Sequence, residues 1–222
     1  MVILGFKRKL LHSALVNTWV RCMSNQTTKS EVIFRNLKLD EATKVCEFGK
    51  QELARTFKHL YNDDDWDQYI LEAYSPKTYC DWITSKDYFV YGAFLDPVKT
   101  KSEAKLSDAQ PVNDEVLVAY ILAGPCSLPL SILDNSDPGE IKRLYAHPST
   151  FGSGISEQLL KNAMTWLRSG IEHNKRNIYL GVYSDNPRAI KFYEKHNFHV
   201  NGEYIFKVGN HGDKEFIMKN TI

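Results

Sequence analysis

The stretch "GEIKRLYAHPSTFGSGISEQLL" (Gly139–Leu160) constrains the fold more than any other part of the chain. Its first eight residues, Gly139–Ala146, read as a strand with mixed faces. From Ile155 onward, apolar residues fall at Ile155, Leu159, Leu160, Ala163 and Leu167, the spacing of one face of a helix. Between the two stand Gly152 and Gly154. A strand, a glycine-bearing turn and a helix start form a ready anion site. The first N–H groups of a helix lack internal partners, and the helix dipole adds partial positive charge there. Glycine carries no Cβ, so a diphosphate can lie against its backbone. A plain turn is the competing reading of this stretch alone. It is not a P-loop, because no Gly-Lys-Ser/Thr follows. It lacks the third glycine and the downstream ribose acid of a dinucleotide fingerprint.

The rest of the chain alternates in the same way. Ser30–Leu39 reads as a strand, Asp40 as an N-cap, and the following residues carry helical spacing at Ala42, Val45, Phe48, Leu53 and Phe57. "NDDDWD" reads as a polar loop before two short helices around Gln68–Tyr74 and Pro76–Ser85. Tyr88–Leu95 and Glu115–Gly124 are strands by their aromatic and β-branched content. The polar stretch Asp96–Asp114 between them is a loop. Asn177–Ser184 is a strand. Asn186 then caps a short helix that has Pro187 at its first position and a left-handed exit at Asn197. Two final strands fit "HVNGEYIFKV" and "KEFIMKN". The expectation from the element order is a mixed α/β domain over residues 30–222, one layered sheet with helices on both faces.

Charge and cysteine usage narrow the function. The formal net charge is +1, from 28 basic and 27 acidic residues, so no global field exists to hold nucleic acid. No apolar run approaches a membrane span. Cys22, Cys46, Cys80 and Cys126 stand far apart, which argues for reduced thiols and against a zinc cluster. His196 and His199 make a bare H-x-x-H, read as surface; no metal is expected. Residues 1–29 contain Lys7, Arg8, Lys9, Arg21 and Lys29 and no Asp or Glu. That composition is expected of a mitochondrial targeting peptide. The alternative is a disordered or mis-called N-terminus, with Met23 as a second start and a cytoplasmic and nuclear location.

Two segments taken together carry a resemblance. "LYAHPSTFGSGISEQLL" and "LGVYSDNPRAIKFYEKHNF" are similar to the GNAT superfamily of acetyl-CoA-dependent N-acetyltransferases. The family's loop reads Gln/Arg-x-x-Gly-x-Gly/Ala, and here Phe151, Gly154 and Ser156 stand at its first, fourth and sixth places. The second segment matches the family through Asn186, Ala189, Phe192, Tyr193, Lys195 and Phe198, with Asn197 replacing a glycine. "YILAGPCSLP", "LYNDDDWDQYILEAYSP" and the tail with Phe206, Gly209, Asp213, Ile217 and Met218 resemble the PaiA-type branch, known for polyamine acetylation.

The resemblance implies the GNAT fold, an α/β domain with a central mixed, mostly antiparallel sheet of about six or seven strands and helices on both faces, and acetyl-CoA as co-substrate. It implies backbone contacts from Leu144, Tyr145 and Ala146 to the pantetheine arm. Backbone N–H groups of Phe151, Gly152, Ser153, Gly154, Ile155 and Ser156 would hold the diphosphate, with Asn186 beside the cofactor. It implies a tyrosine acid at Tyr193 and a glutamate base at Glu140. The plainer readings are a packed helical tyrosine, and a glutamate paired with Lys142 or Arg143. Tyr61, Asp64 and Tyr74 are the expected acceptor contacts, although the acids around Trp66 also suit a helix cap. The expected reaction is acetyl transfer to a small primary amine, polyamine or amino-acid-like. Alternatives are acetylation of a protein N-terminus or lysine, and a non-catalytic acyl-CoA-binding regulatory module. The sequence leaves the oligomeric state open, a homodimer included.

Overall fold

The computed structural model describes residues 32–96, 111–112, 115–129, 131, 133, 137–169 and 175–221. The targeting expectation for residues 1–29 and most of the Asp96–Asp114 loop lie outside these. The described strands are β1 (Val32–Asn36), β2 (Phe89–Leu95), β3 (Pro111–Val112), β4 (Glu115–Pro125), β5 (Gly139–Ala146), β6 (Asn177–Tyr183), β7 (His199–Val208) and β8 (His211–Thr221). The helices are α1 (Ala42–Phe57), α2 (Asp63–Ala73), α3 (Pro76–Thr84), α4 (Ile155–Arg168) and α5 (Pro187–Lys195). One sheet runs in the order β1-β2-β4-β5-β6-β8-β7, with the short β3 paired to β4. Every pairing is antiparallel except β5–β6. The expected mixed, mostly antiparallel sheet is therefore present.

Helices cover both faces of the sheet. On one face α4 buries Ile155, Leu159, Leu160, Ala163 and Leu167, the five positions of its apolar stripe, against Ala119, Ile121, Ile178 and Leu180. On the other, α1 packs Val45, Phe48 and Leu53 with Phe94, Leu117, Tyr120 and Leu122. Gly49 lies under this packing. A Cβ there would meet the Tyr120 hydroxyl at 2.6 Å and the Tyr79 hydroxyl at 2.8 Å. Glycine is what lets the buried Tyr79–Tyr120 hydroxyl pair (2.7 Å) sit against the helix.

Local readings differ at three places. Asp40 does not cap α1. It sits in a 3-10 turn, and Glu41 accepts the Lys38 N–H at 2.7 Å while pairing with Arg35. "NDDDWD" is not a loop but the start of α2. Asn62 caps that helix by accepting the Asp65 N–H, and three acids fill its first turn, where the dipole favours them. Pro111–Val112 is strand, because it completes a hairpin with Glu115 and Val116. Among the described residues no helix is long and apolar enough to cross a membrane.

The sheet is incomplete at its centre. β5 and β6 pair only at Gly139–Ile178 and Glu140–Tyr179. Both strands then continue, to Ala146 and to Tyr183, without pairing to each other. From Leu144 to Ala146, β5 is paired to β4 on one edge and open on the other. Opposite β4 the register shifts, with Leu122 facing Arg143 and Ala123 facing Ile141. Lys142 is the extra residue of that bulge. The bulge places Glu140 on the same face as Arg143 and Tyr145, three and five residues on, which a regular strand would not do.

Candidate active site

The gap between β5 and β6 opens into one groove of about 1250 Å³ that runs from the α4 turn to the α2 helix. At the α4 end, Gly152 and Gly154 have φ of 78° and 87°. Open space lies above both, so glycine is required there by backbone conformation rather than by crowding. Phe151, Gly152, Gly154 and Ser156 line the groove. Ser153 and Ile155 do not, which corrects the expectation of a continuous run of donors. The Ser153 N–H donates to the Thr150 carbonyl at 3.1 Å, and the Ile155 N–H turns to Ser153 Oγ at 3.4 Å. Leu144, Tyr145 and Ala146 line the groove along the open edge of β5. Asn186 lines it too, while its side chain caps α5 by accepting the Ala189 N–H at 3.1 Å. Phe151, which stands where the family pattern has a polar residue, carries the Arg188 guanidinium 4.0 Å above its ring. The loop has thus acquired a cation from α5.

Tyr193 lines the middle of the groove. Its ring packs on Phe192 and Phe198, and its hydroxyl has no hydrogen-bond partner among the described residues. Burial raises its pKa well above that of an ordinary phenol, so it stays protonated through the neutral range. A buried, protonated, unengaged hydroxyl can donate to a departing thiolate.

Glu140 also lines the groove and is 7% exposed. However, its Oε2 accepts the Ser127 N–H at 2.7 Å, the Ser127 hydroxyl at 3.0 Å and Lys142 Nζ at 2.8 Å. The ion-paired reading is the one the geometry favours. Glu140 Oε2 is thus engaged by three donors before any substrate arrives.

The acceptor end differs from expectation at Asp64. That side chain is exposed on the first turn of α2 and does not line the groove; it serves the helix terminus. Tyr61 and Tyr74 do line it. The Tyr61 hydroxyl donates to Asp213, and the Tyr74 hydroxyl lies 2.7 Å from that of Tyr145. Asp65, the neighbour of Asp64, is buried and latches α2 to the β7–β8 turn by accepting the Asn210 N–H at 3.0 Å. Tyr69 against Phe206 and Tyr61 against His211 close the same end.

Two charged groups were not foreseen from the sequence. Glu215 of β8 lines the groove, half-buried, and its Oε2 accepts the Tyr204 hydroxyl at 2.6 Å. No cation pairs with it among the described residues. Burial above all raises its pKa, and Asp213 and Glu140 add to this against the opposing Tyr204 hydrogen bond. Gly181 of β6 makes room for it, since a Cβ there would meet Glu215 Oε2 at 2.6 Å. Arg143 lines the groove from β5, donating to the Tyr79 hydroxyl at 2.6 Å and the Ala73 carbonyl at 2.8 Å. Its guanidinium lies 4.1 Å over Tyr74 and 4.9 Å from the Trp82 ring. The H-x-x-H pair makes no shared site: the ring of His196 turns to the Phe192 carbonyl and His199 is exposed.

A splayed parallel strand pair, a two-glycine turn at a helix start and a groove joining them define an acyl-CoA-type site. The sequence matches the Acetyltransferase (GNAT) family over residues 57–198, and the chain belongs to that family. An uncharacterised N-acetyltransferase of Mycobacterium tuberculosis (strain ATCC 25618 / H37Rv) is 30% identical over 79 residues, 36% of this chain and 49% of that protein. Another, from the pepI 3′ region of Lactobacillus delbrueckii subsp. lactis, is 29% identical over 83 residues, 37% of this chain and 46% of that protein. The chain spans about half the length of the curated relatives it matches. Among solved structures, the PaiA N-acetyltransferase of Thermoplasma acidophilum in complex with coenzyme A is similar, with a TM-score of 0.60 and 19% identity. Arabidopsis thaliana NAA60 in complex with a bisubstrate analogue has a TM-score of 0.60 and 16% identity. Each similarity covers 86% of this chain and 99% of the other, and both establish the fold.

Proposed function

We propose that this protein is an acetyl-CoA-dependent N-acetyltransferase acting on a small primary amine. The observation that carries the reading is the β5–β6 gap, which joins a phosphate-ready turn to the acceptor end of the same groove, where a carboxylate has no cation partner among the described residues. Bound acetyl-CoA supplies the acyl thioester. The N–H groups of Gly152, Gly154 and Ser156 suit its diphosphate, and Arg188 adds charge beside them. The open edge of β5 from Leu144 to Ala146 suits an amide-bearing arm, which would pair as an added strand does.

The amine arrives mostly protonated. With a pKa near ~10.4, about one molecule in a thousand is neutral at pH 7.4, a handicap of about 4 kcal/mol. Glu215 suits the removal of that proton better than Glu140, because no cation holds its negative form and its pKa is shifted toward neutrality. The neutral amine nitrogen then bonds to the thioester carbonyl carbon, the carbon–sulfur bond breaks, Tyr193 protonates the sulfur, and the second nitrogen proton returns to the Tyr193 phenolate, leaving one net proton on Glu215. The Asp65–Asn210 latch and the Tyr69–Phe206 contact close the acceptor end. That closure favours a small molecule over a protein segment. A mitochondrial location, from the composition of residues 1–29, belongs to the same proposal. It is tested by fusing those residues to a fluorescent protein.

The experiment is free-thiol release from acetyl-CoA by the full chain against a panel of amines, with CoA affinity measured by calorimetry. Turnover with small amines that falls 100-fold or more in Tyr193→Phe supports the reading. Turnover only with peptides or protein lysines transfers it to the protein-acceptor class. CoA binding without any turnover marks a non-catalytic acyl-CoA-binding module.

A further inference from the structure

The acceptor chamber holds two charges that the protein leaves uncompensated. Arg143 enters from β5. Its ring cage of Tyr74, Tyr79 and Trp82 stabilises the cation through the π faces, but no carboxylate among the described residues pairs with it. Only two of the about five donors of a guanidinium are engaged, by Tyr79 and Ala73. Glu215 enters from β8 with one donor, Tyr204. The two do not pair with each other, yet both line the same groove, together with Tyr69, Tyr74, Tyr145 and Tyr204. A buried charge is costly unless a partner meets it, and removing a partner is costlier than lacking the pair altogether. Two half-buried charges of opposite sign, on β5 and β8 of one groove, are complementary to a ligand that carries both.

Building on the N-acetyltransferase reading, we propose that the acceptor is an amino carboxylate, with its ammonium at Glu215 and its carboxylate at Arg143. The guanidinium presents a planar fork suited to a carboxylate, and its remaining donors are free to make that contact. A diamine of the same length would bring its second ammonium against Arg143 and be disfavoured. The assignment therefore divides the two small-amine classes that the sequence left open. Transfer itself is unchanged: the amine nitrogen gains the acetyl group, its proton goes to Glu215, and the acceptor carboxylate takes no part in bond making.

The test uses the full-length protein with acetyl-CoA and matched acceptor series. One series is glycine, β-alanine, 4-aminobutanoate and 6-aminohexanoate together with α-amino acids; the others are diamines and uncharged alkylamines of equal length. The expected result is a kcat/KM for the best amino carboxylate at least 10-fold above that of its length-matched diamine. In Arg143→Gln that ratio should collapse, through a KM for the carboxylate acceptor raised roughly 10- to 100-fold. The wild-type comparison needs no variant, so misfolding of Arg143→Gln leaves the test intact. A readout without chemistry is calorimetric binding of the preferred amino carboxylate to CoA-loaded protein, lost in Glu215→Gln. Preference for diamines, or for peptide N-termini over every small amino carboxylate, overturns the inference while leaving acetyl transfer standing. So does a ratio unmoved by Arg143→Gln. Absence of turnover with every amine, despite CoA binding, overturns the transferase reading itself. In that case amino carboxylate binding still decides whether the charge pair forms a site.

Discussion

Replacing Gly49 by alanine sets two forces of comparable size against each other. In an unobstructed helix interior this change stabilises by roughly 0.8–1.0 kcal/mol. At Gly49 the new Cβ would stand 2.6 Å from the Tyr120 hydroxyl, 2.8 Å from the Tyr79 hydroxyl and 3.2 Å from Tyr74 Cε1. Those atoms belong to rings fixed in the core, with Tyr79 and Tyr120 each 0% exposed. Overpacking of this kind costs about 1–3 kcal/mol. Parting the Tyr79–Tyr120 pair would leave buried hydroxyls unsatisfied, at about 1–3 kcal/mol more. The sum predicts a net destabilisation of about 1–5 kcal/mol. At this chain length each kcal/mol lowers the Tm by about 2–4 °C. The measurement is urea and thermal unfolding of Gly49→Ala followed by circular dichroism. Because Tyr79 also accepts from Arg143, the variant should raise KM for the acceptor more than it weakens CoA binding. A Gly49→Ala protein as stable as the wild type, or more so, would refute the packing argument outright.

Further perturbations test separate parts of the structure. Gly154→Ala forces alanine to φ near 87°, a strain of about 1–3 kcal/mol, and should weaken CoA binding roughly 5- to 100-fold by calorimetry with little effect on acceptor KM. Glu215→Gln should lower turnover yet raise stability at neutral pH. The Glu215 carboxyl has a raised pKa when folded, so the folded state binds more protons than the unfolded one between about 4.5 and that raised value, and stability falls as pH rises through the window; denaturant titrations at pH 4 and pH 8 read it. Glu41 behaves oppositely. Burial works against its charge, but Arg35 and the Lys38 N–H outweigh that and hold its pKa down. It therefore stabilises the fold above its unfolded value of about 4.5 and ceases to as pH drops through the lowered one, so Glu41→Gln should flatten the acid limb of the stability curve. Tyr193 stays protonated past the range of an ordinary phenol, so the pH–rate profile should show no loss from its ionisation below pH about 10.

Features set by local chemistry were legible in the sequence. The apolar stripe of α4, the Asn186–Pro187 start of α5 and the glycine turn all depend on residues within a few positions of each other. The acceptor chamber depends on registers the sequence does not display. Glu215 reaches the site because β8 aligns it with Tyr183 of β6 and because Gly181 leaves space. Arg143 shares the face of Glu140 because of the bulge at Lys142, which breaks the strict alternation of a strand. Asp64 misled because three adjacent acids suggest attraction of a cation, whereas a helix terminus uses the same charges. Glu140 lines the groove, but its Ser127 partner lies 13 residues away in sequence, outside any local pattern.

The gap between β5 and β6 also leaves the sheet as two leaves stitched strand to strand over a short seam, which α4 and the Asp65–Asn210 contact bridge through side chains. One leaf is β1 to β5, the other β6 to β8, and only Gly139–Ile178 and Glu140–Tyr179 stitch their backbones together. A ligand lying along β5 and anchored at the α4 turn acts as a splint across that seam. Its binding energy should therefore appear as slowed amide exchange on both leaves at once, including β8 residues it never touches.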